Sequence, residues 1–297
     1  MNVYYCGTFT WTILRILRKT GLLWHISFSL RTRIAGKRFI VPIRSGVGLY
    51  LLIRAEPWME PLLRSLLDEF PGAFVDVGVN LGQTLCQVKA LAPERTYVGF
   101  EPNPACANHA LELARLNKCE NTRVVPIGLS DRDGLVQLEL HTDLMDDSAA
   151  TVVSDFRPGF NVHRSFTIPV LRFDTTAHEL GIGTLGIIKV DVEGSERDVL
   201  LGMEQRIAQD RPAVVLEILP VGKQTTRLPM QQDVEAFFAR VGYRLHRIRM
   251  RDGAVHLEAL LAPIGVIHDQ DLSNYIALPT ERSEGILAAL GSPFAQR

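Results

Sequence analysis

The chain is most informative at residues 74–84, which read Phe74-Val75-Asp76-Val77-Gly78-Val79-Asn80-Leu81-Gly82-Gln83-Thr84. Apolar residues lead into an acid, two glycines stand four residues apart, and a helical pattern begins directly afterwards. This order predicts a buried strand, a tight turn and a helix, as in the first βα unit of a nucleotide-binding sheet. The glycines allow a ligand to approach the backbone closely, and the start of the helix offers unpaired N–H groups.

The loop departs from the dinucleotide-binding pattern G-x-G-x-x-G at two positions. Asn80 and Gln83 stand where that pattern has its second and third glycines. The loop is therefore less suited to a pyrophosphate, which Asp76 at the end of the strand would also repel. An acid at this place suits a ligand with a cationic amino group. This points to S-adenosylmethionine, although the loop alone leaves other ligands of α/β sheets open.

The charge of the chain is unevenly distributed. The 297 residues carry a formal net charge of −1, with ordinary hydrophobic (46%) and charged (22%) contents. Residues 1–55 contain nine Lys or Arg and no Asp or Glu, which leaves 23 basic and 33 acidic residues for the remainder. A basic head of this kind is compatible with contact to an anionic membrane, to nucleic acid or to the acidic body of the protein.

The cysteine and hydropathy patterns indicate the cellular compartment of the protein and its relation to a membrane. The four cysteines have no C-x-x-C spacing, and we expect a reduced, cytoplasmic protein. The sequence contains no uninterrupted run of about 18 apolar residues, so we expect no ordinary transmembrane helix. Residues 9–30 are apolar and aromatic but are interrupted by Arg15, Arg18, Lys19 and His25. Residues 9–38 could therefore contact a membrane interface peripherally, at its inner face, or the helix could pack onto the catalytic body.

Alternating strand and helix patterns predict a doubly wound α/β sheet. We expect a β-hairpin over residues 38–54, in which alternating apolar residues flank a turn at Ser45-Gly46-Val47-Gly48. The alternating residues are Phe39, Val41 and Ile43 before the turn and Leu49, Leu51 and Ile53 after it. A helix is expected over 56–70 before the glycine loop. Further strands are expected at 96–101, 122–127, 185–190 and 213–218, and a final hairpin at 243–261 supplies an antiparallel edge. The predicted organisation is a basic N-terminal segment (1–70), a catalytic domain (71–262) with an insertion (135–172), and a C-terminal tail (263–297).

Two strand ends after the glycine loop carry candidate cofactor contacts. Glu101 lies 19 residues after Gly82, where an acid that binds ribose hydroxyls is usually found, although it could also cap the next helix. Ser130 and Asp131 follow the third strand, where they could reach an adenine or simply form a turn.

The insertion is polar between its two flanking strands. Residues 142–165 include Asp143, Asp146, Asp147, Ser148 and His163. A long polar excursion at the ligand edge of a sheet is either a lid that contacts the acceptor or surface decoration. We favour the lid.

A second dense motif reads Ile188-Lys189-Val190-Asp191-Val192-Glu193-Gly194-Ser195-Glu196. Asp191 and Glu193 point to the same side if the strand continues. Two carboxylates at the end of a strand are costly unless a cation or a reaction uses them. The alternative is a structural pair of Lys189 with an Asp, together with a Glu that caps the following helix.

Taken in order, the segments 76–82, Glu101-Pro102-Asn103-Pro104 and 188–196 resemble the FkbM family of methyltransferases. The resemblance covers about Phe39 to Leu261. It implies the class I, Rossmann-like methyltransferase fold, which is a seven-stranded sheet with one antiparallel strand. It also implies that S-adenosylmethionine donates a methyl group to a hydroxyl of a sugar, a glycolipid or a secondary metabolite of polyketide type.

The resemblance also assigns expected roles by position. The methionine part of the cofactor lies near the glycine loop, the ribose near Glu101 and the adenine near Ser130 and Asp131. Asp191 and Glu193 face the methyl group and the acceptor. The predicted cofactor-binding set is Asp76, Gly78, Asn80, Gly82, Thr84, Glu101, Pro102, Asn103, Ser130, Asp131 and Asp191.

An alcohol acceptor needs a base that removes its proton. The candidate catalytic residues are Asp191, Glu193 and His163, in that order. No metal is expected, although Asp191, Glu193 and Glu217 could bind a divalent cation. An N-methyltransferase and a non-catalytic cofactor- or lipid-binding adaptor remain alternatives. Nucleic acid is not expected as a partner, because the body that holds the site is net acidic.

Overall fold

The structure is a computed structural model that describes residues 5–154, 156, 159–221 and 227–289. Its centre is an eight-stranded sheet in the order β12-β11-β13-β10-β9-β3-β4-β5. A two-stranded hairpin (β1-β2) and a three-stranded sheet (β6-β8-β7) lie outside it. The strands are β1 Ser27–Ile34, β2 Lys37–Arg44, β3 Ala73–Val77, β4 Tyr97–Phe100, β5 Thr122–Val125, β6 Gly128–Leu129, β7 Gly134–Leu140, β8 Arg164–Leu171, β9 Leu185–Val190, β10 Ala213–Glu217, β11 Tyr243–Arg251, β12 Ala254–Ala259 and β13 Asn274–Pro279.

Five neighbouring strands, β10, β9, β3, β4 and β5, run parallel. All residues of β3, β4 and β9 are buried, as their nearly continuous apolar sequences require. Val77 pairs with both Phe100 and Val190, so the three strands end at the same level. The glycine loop, Glu101 and Asp191 consequently follow one another along a single edge of the sheet.

Helices cover both faces of this sheet. Val75 and Val77 belong to an apolar cluster with residues of α6 and α8, whereas Phe74 belongs to a cluster with α2, α3 and α9. The predicted doubly wound α/β arrangement is therefore present. The helices that the structure describes are α1 Thr8–Lys19, α2 Met59–Leu66, α3 Gln83–Leu91, α4 Pro104–Leu116, α5 Phe173–Glu179, α6 Glu196–Gly202, α7 Glu204–Asp210, α8 Arg227–Arg240 and α9 Thr280–Ala289.

The antiparallel part of the sheet differs from the prediction. The final hairpin, β11 with β12, is present. The strand β13 lies between β10 and β11 and is antiparallel to both, so the antiparallel strand is internal rather than only at an edge. The sheet has eight strands instead of seven. Because β13 lies in the predicted C-terminal tail (263–297), the predicted domain boundary at residue 262 would divide the sheet. Residues 290–297 of that tail lie outside the described residues.

The N-terminal segment also folds differently from the prediction. The β-hairpin joins Ser27–Ile34 to Lys37–Arg44 across Ala35 and Gly36, which both have positive φ. The expected second strand at 49–53 is instead a short 3-10 helix, Tyr50–Leu52. The predicted alternation at Phe39, Val41 and Ile43 was correct, but its partner precedes it in the chain. Their side chains form a third apolar cluster with α1, α3 and α4.

The insertion begins and ends with paired strands. β7 and β8 are antiparallel, and β6 adds to β8 in parallel. The intervening residues 141–163 turn back towards the parallel sheet, although residues 155, 157 and 158 lie outside the described part. Within the described ranges, no helix combines the length and the apolar composition needed to cross a bilayer.

Candidate active site

A cavity of about 1010 Å³ opens at the carboxyl ends of the parallel strands. Its walls come from the glycine loop, from the insertion, from the segment before α2 and from the ends of β10, β11 and β13. Among the described residues, eight acidic side chains line it but only two basic ones, Lys189 and Arg249. The acidic side chains are Glu56, Glu101, Asp146, Asp147, Asp191, Glu193, Glu217 and Asp271. The cavity therefore suits a ligand that carries positive charge.

The glycine loop places bare backbone at this cavity. Gly78 has a φ of 89°, and a Cβ atom there would lie 1.9 Å from the carbonyl oxygen of Asp191. No other residue type fits this close crossing of the two loops. Asn80 also has positive φ (49°), which asparagine tolerates better than most residues. Gly78 and Asn80 line the cavity, as predicted, whereas Gly82 caps α3 outside the lining.

Glu101 fastens two loops together. One carboxylate oxygen accepts the backbone N–H of Asn80 at 2.7 Å, and the other accepts that of Asn103 at 2.8 Å. Burial raises the pKa of Glu101 to about 7, against the lowering effect of these two hydrogen bonds. Each oxygen keeps a lone pair for a further donor such as a hydroxyl. Glu101, Pro102 and Asn103 all line the cavity.

The start of α3 presents an unused donor. The side-chain amide nitrogen of Gln83, Nε2, is buried and has no hydrogen-bond partner in the described structure. Gln83 lines the cavity beside Thr84, at the end of the helix where backbone N–H groups are unpaired. An anionic group bound here would satisfy this amide. The sequence singled out Gln83 only as a departure from the dinucleotide pattern.

Asp76 lies beneath the cavity rather than at its surface. Its side chain is fully buried, and it accepts a hydrogen bond from the hydroxyl of Tyr97. Its other oxygen has no described partner, and burial raises its pKa to about 7. The expected direct contact between Asp76 and the cofactor is therefore not supported by the cavity lining. Asp76 instead forms part of a buried charge network.

Lys189 is the centre of that network. Its nitrogen lies 2.7 Å from Asp191 and 3.8 Å from Glu56, and its register partner across the sheet is Asp76. Burial alone would lower the pKa of Lys189, but the carboxylates of Asp191, Glu56 and Asp76 raise it overall. The ammonium group thus neutralises part of the acidic charge from below. Glu56 belongs to the N-terminal segment, and no local sequence pattern indicated it as a site residue.

Three carboxylates meet above Lys189. Oxygen atoms of Asp191, Glu193 and Glu217 all lie within 4.8 Å of one another. Burial, followed by the nearby charge of Asp191, raises the pKa of Glu217 to about 7, although Ser273 donates a hydrogen bond to it at 2.7 Å. Carboxylates this close share protons readily, and the same spacing is compatible with a divalent cation.

Both interpretations of the motif 188–196 have a structural basis. Lys189 and Asp191 form the predicted ion pair, and Glu196 accepts the backbone N–H of Gly194 at 2.9 Å. Asp191 and Glu193 nevertheless line the cavity. The structural pair and exposure of the carboxylates to a ligand are therefore compatible.

The insertion forms one wall of the cavity. Its residues Asp146, Asp147 and Ser148 line the space. Asp146 accepts the backbone N–H of Gly48 at 3.2 Å, and Thr151 donates to the carbonyl of Glu193 at 2.7 Å. The insertion is thus attached both to the N-terminal segment and to the carboxylate cluster.

Besides Asp76 and Gly82, three further predicted residues lie outside the cavity lining. His163 is about half exposed and pairs with Asp143 at 3.1 Å, so it does not join the carboxylates. Ser130 and Asp131 form a turn in which the serine hydroxyl donates to Asp131 at 3.3 Å. The cavity wall beyond β5 is formed instead by Ile127, Gly128 and Leu129.

Comparisons of sequence identify relatives. The family model described as the methyltransferase FkbM domain matches residues 76–245. The chain is 24% identical over 157 residues to the 2-O-methyltransferase NoeI of Sinorhizobium fredii, covering 50% of this chain and 63% of that protein. It is 28% identical over 172 residues to the 31-O-demethyl-FK506 methyltransferase FkbM of Streptomyces tacrolimicus, covering 48% and 64%. The matches thus span less than two thirds of each relative.

Solved structures give more distant matches. A methyltransferase FkbM from Methylobacillus flagellatus aligns with a TM-score of 0.44 and 14% identity, covering 70% of this chain and 43% of the other. Aeropyrum pernix fibrillarin, solved with S-adenosyl-L-methionine, aligns with a TM-score of 0.38 and 13% identity, covering 74% and 72%.

Proposed function

The chain belongs to the FkbM family of S-adenosylmethionine-dependent methyltransferases, and we propose that it methylates a hydroxyl group of a sugar, a glycolipid or a secondary metabolite. One observation carries the proposal: three carboxylates, those of Asp191, Glu193 and Glu217, adjoin the glycine loop in one large cavity. Two relatives, the 2-O-methyltransferase NoeI and the 31-O-demethyl-FK506 methyltransferase FkbM, support oxygen as the methylated atom.

The cavity fits S-adenosylmethionine on several grounds. Gly78 leaves backbone bare, the unpartnered amide of Gln83 suits a carboxylate, and Glu101 suits ribose hydroxyls. The surplus of acidic side chains suits the positive charge of the cofactor. When bound, the cofactor supplies an electrophilic methyl group on a sulfonium sulfur. Its adenine would contact Ile127, Gly128 and Leu129 rather than the predicted Ser130 and Asp131.

The acceptor hydroxyl needs a carboxylate within hydrogen-bond reach. Asp191 remains the first candidate for the base and Glu193 the second, because both line the cavity. Glu217, whose raised pKa of about 7 lies near neutral pH, can share the proton that the hydroxyl gives up. His163 is not retained in this role because its side chain lies outside the lining. The remaining contribution is positioning of two reactants.

The acceptor occupies the side of the cavity away from the glycine loop. That side is formed by the insertion, by the segment around Glu56 and by the ends of β10, β11 and β13. The polar lining residues of the insertion, Thr142, Asp146, Asp147 and Ser148, support a glycan or a polar small molecule as the acceptor. No observation in the described residues favours an amine acceptor or a non-catalytic adaptor.

The test compares two variants in cofactor binding and in methyl transfer. Asp191→Asn should keep its affinity for S-adenosylhomocysteine in calorimetry and lose about 100-fold or more in turnover, as expected for removal of a general base. Asp143→Asn is the control, because Asp143 is an exposed acid of the same insertion region outside the cavity. Transfer of labelled methyl groups to sugar and glycolipid hydroxyls is the readout. Undiminished turnover of Asp191→Asn would exclude it as the base, and no cofactor binding by the intact protein would contradict the function.

A further inference from the structure

Helix α1 has an apolar side that faces away from the protein. Trp11 and Leu14 are buried in the N-terminal cluster, so one side of the helix packs onto the body as expected. Phe9, Ile13 and Ile16 remain 80%, 43% and 55% exposed. Their spacing of four and three residues places them on a single stripe of the helix. A stripe of this kind is costly in water and is typical of a contact surface.

Exposed apolar side chains continue beyond α1. Leu22, Trp24 and Ile26 are also exposed, by 54%, 39% and 38%. Six of the twelve exposed large hydrophobic side chains in the described residues thus fall between positions 9 and 26. This concentration in one short segment distinguishes it from the scattered apolar residues of an ordinary surface.

Many basic side chains of the head, residues 1–55, have no partner among the described residues. Five exposed basic residues have side chains that make neither a hydrogen bond nor an ion pair among the described residues: Arg15, Lys19, Arg31, Arg33 and Arg38. Contact with the acidic body is one of the expected roles of the basic head. In the part of the chain that the structure describes, it involves only the ion pairs of Arg44 with Glu112 (2.5 Å) and of Arg54 with Glu60 (3.6 Å). The side chains of the five unpaired cations are available to an external anion.

The hairpin concentrates like charges. Arg33 of β1 lies directly opposite Arg38 of β2 in the antiparallel register. Residues opposite each other project from the same face, and like charges in this position are destabilising. An anionic partner over this face would relieve the repulsion.

We propose that α1 and the β1–β2 hairpin dock on the surface of an anionic lipid bilayer. The apolar stripe would enter the interface between head groups and acyl chains, while the cations contact anionic head groups. The combination favours a bilayer over nucleic acid, which would leave the stripe in water. Arg18 of α1 donates to the hydroxyl of Tyr50, a residue that lines the cavity, so the docking surface adjoins the rim of the site.

Binding of the full chain to vesicles tests this proposal independently of its catalytic function. We expect co-sedimentation with phosphatidylglycerol-containing vesicles, little with pure phosphatidylcholine, and weakening by salt. Ile16→Glu should lower partitioning at least about tenfold, because it places a charge in the apolar stripe. Arg31→Ala combined with Arg33→Ala should have a similar effect of about tenfold. The control Leu261→Glu changes an apolar residue outside the head that is even more exposed than Ile16 (86% against 55%), and it should stay within about twofold of the unchanged protein.

Several outcomes would overturn the proposal. Failure to bind anionic vesicles, or equal binding by Ile16→Glu at an unchanged melting temperature, would exclude a bilayer as the partner. Self-association that Ile16→Glu abolishes, without vesicle binding, would assign the face to a second copy of the chain. Binding to a DNA duplex in preference to vesicles would assign the cations to nucleic acid.

Discussion

The side-chain nitrogen of Lys189 lies 2.7 Å from a carboxylate oxygen of Asp191, so the first candidate base is already paired with a buried cation. Lys189 is 5% exposed, and its alkyl stem belongs to the interior of β9. The pair holds the Asp191 carboxylate at the end of its strand, next to the crossing of the two loops at Gly78. Charge balance and geometry of the site therefore depend on one side chain.

Replacing Lys189 with methionine should cost about 3–5 kcal/mol in the free energy of unfolding, because Asp76, Asp191 and Glu56 lose their shared counter-charge. Methyl transfer should fall as well. Urea denaturation and a turnover assay measure the two effects. Adding Asp76→Asn to the variant should restore part of the stability, since it removes one of the uncompensated charges.

The matched control for this prediction is Lys89→Met. Lys89 is also buried, but it donates to the backbone carbonyls of Arg95 and Glu120, away from the cavity. We expect Lys89→Met to lower stability while turnover of the folded protein stays unchanged. Equal losses of turnover in both variants would show that Lys189 acts only through general stability.

Gln83→Leu separates cofactor binding from stability. The leucine removes a buried amide that has no partner in the described structure, so the protein without cofactor should be as stable as before or more stable. Affinity for S-adenosylhomocysteine should fall by about 1–3 kcal/mol because the bound carboxylate loses a donor. Calorimetric titration measures the affinity, and thermal melting measures the stability. Unchanged affinity would place the methionine part of the cofactor elsewhere.

Turnover should persist in the presence of EDTA. Lys189 already supplies a positive charge beneath Asp191, Glu193 and Glu217, so the reaction has no evident need for a divalent cation. The measurement compares initial rates with and without the chelator. A loss of activity that magnesium restores would instead identify the three carboxylates as a cation site, and Glu217→Gln should then weaken the dependence on magnesium.

The protein without cofactor should lose stability as the pH rises. Burial raises the pKa of Asp76, Glu101, Glu196 and Glu217 to about 7. The folded state therefore holds these protons more tightly than the unfolded state, whose carboxyl groups titrate near about pH 4. The resulting stability is complete below about pH 4 and is lost as the pH rises through about 7.

Urea midpoints between about pH 5 and pH 8 measure this loss. Glu196→Gln keeps the carbonyl oxygen that accepts the N–H of Gly194 but cannot ionise, so its midpoint should vary less with pH. A midpoint that rises over this range would contradict the assignment of raised pKa values to the buried carboxyl groups.

The parallel sheet was readable from the sequence because each strand is a continuous apolar run that ends in a polar motif. The segments at 74–77, 97–100, 185–190 and 213–217 all form strands with this character. Parallel pairing then forces their carboxyl ends together, so Gly78, Glu101 and Asp191 meet at one edge of the sheet. Asn80, Asn103 and Glu193 line the cavity as well, and the family resemblance implied their contacts with the cofactor or the acceptor.

Long-range pairing was not readable. The turn at Ala35-Gly36 is less conspicuous than Ser45-Gly46-Val47-Gly48, and the hairpin was therefore displaced along the chain. β13 is a short apolar segment that ends in proline within a polar region, and nothing local indicates its insertion between β10 and β11.

The burial of individual polar side chains could not be predicted from the sequence either. Asp76 and Asp191 both follow apolar strand residues, yet Asp76 is fully buried and Asp191 is 29% exposed. Glu56 reaches Lys189 from the N-terminal segment, and no local pattern indicates that contact. Burial of a polar group depends on what packs over it, and this is a tertiary property.

The internal position of β13 has a consequence for biosynthesis. β10 ends at Glu217, but the strand that covers its open edge ends only at Pro279. At a translation rate of roughly 5–20 residues per second, that edge waits roughly 3–12 seconds for its partner on the ribosome. During this interval a buried apolar strand presents unpaired backbone groups, which are prone to pair with other chains. Nascent chains halted before residue 274 should therefore need chaperones to stay soluble.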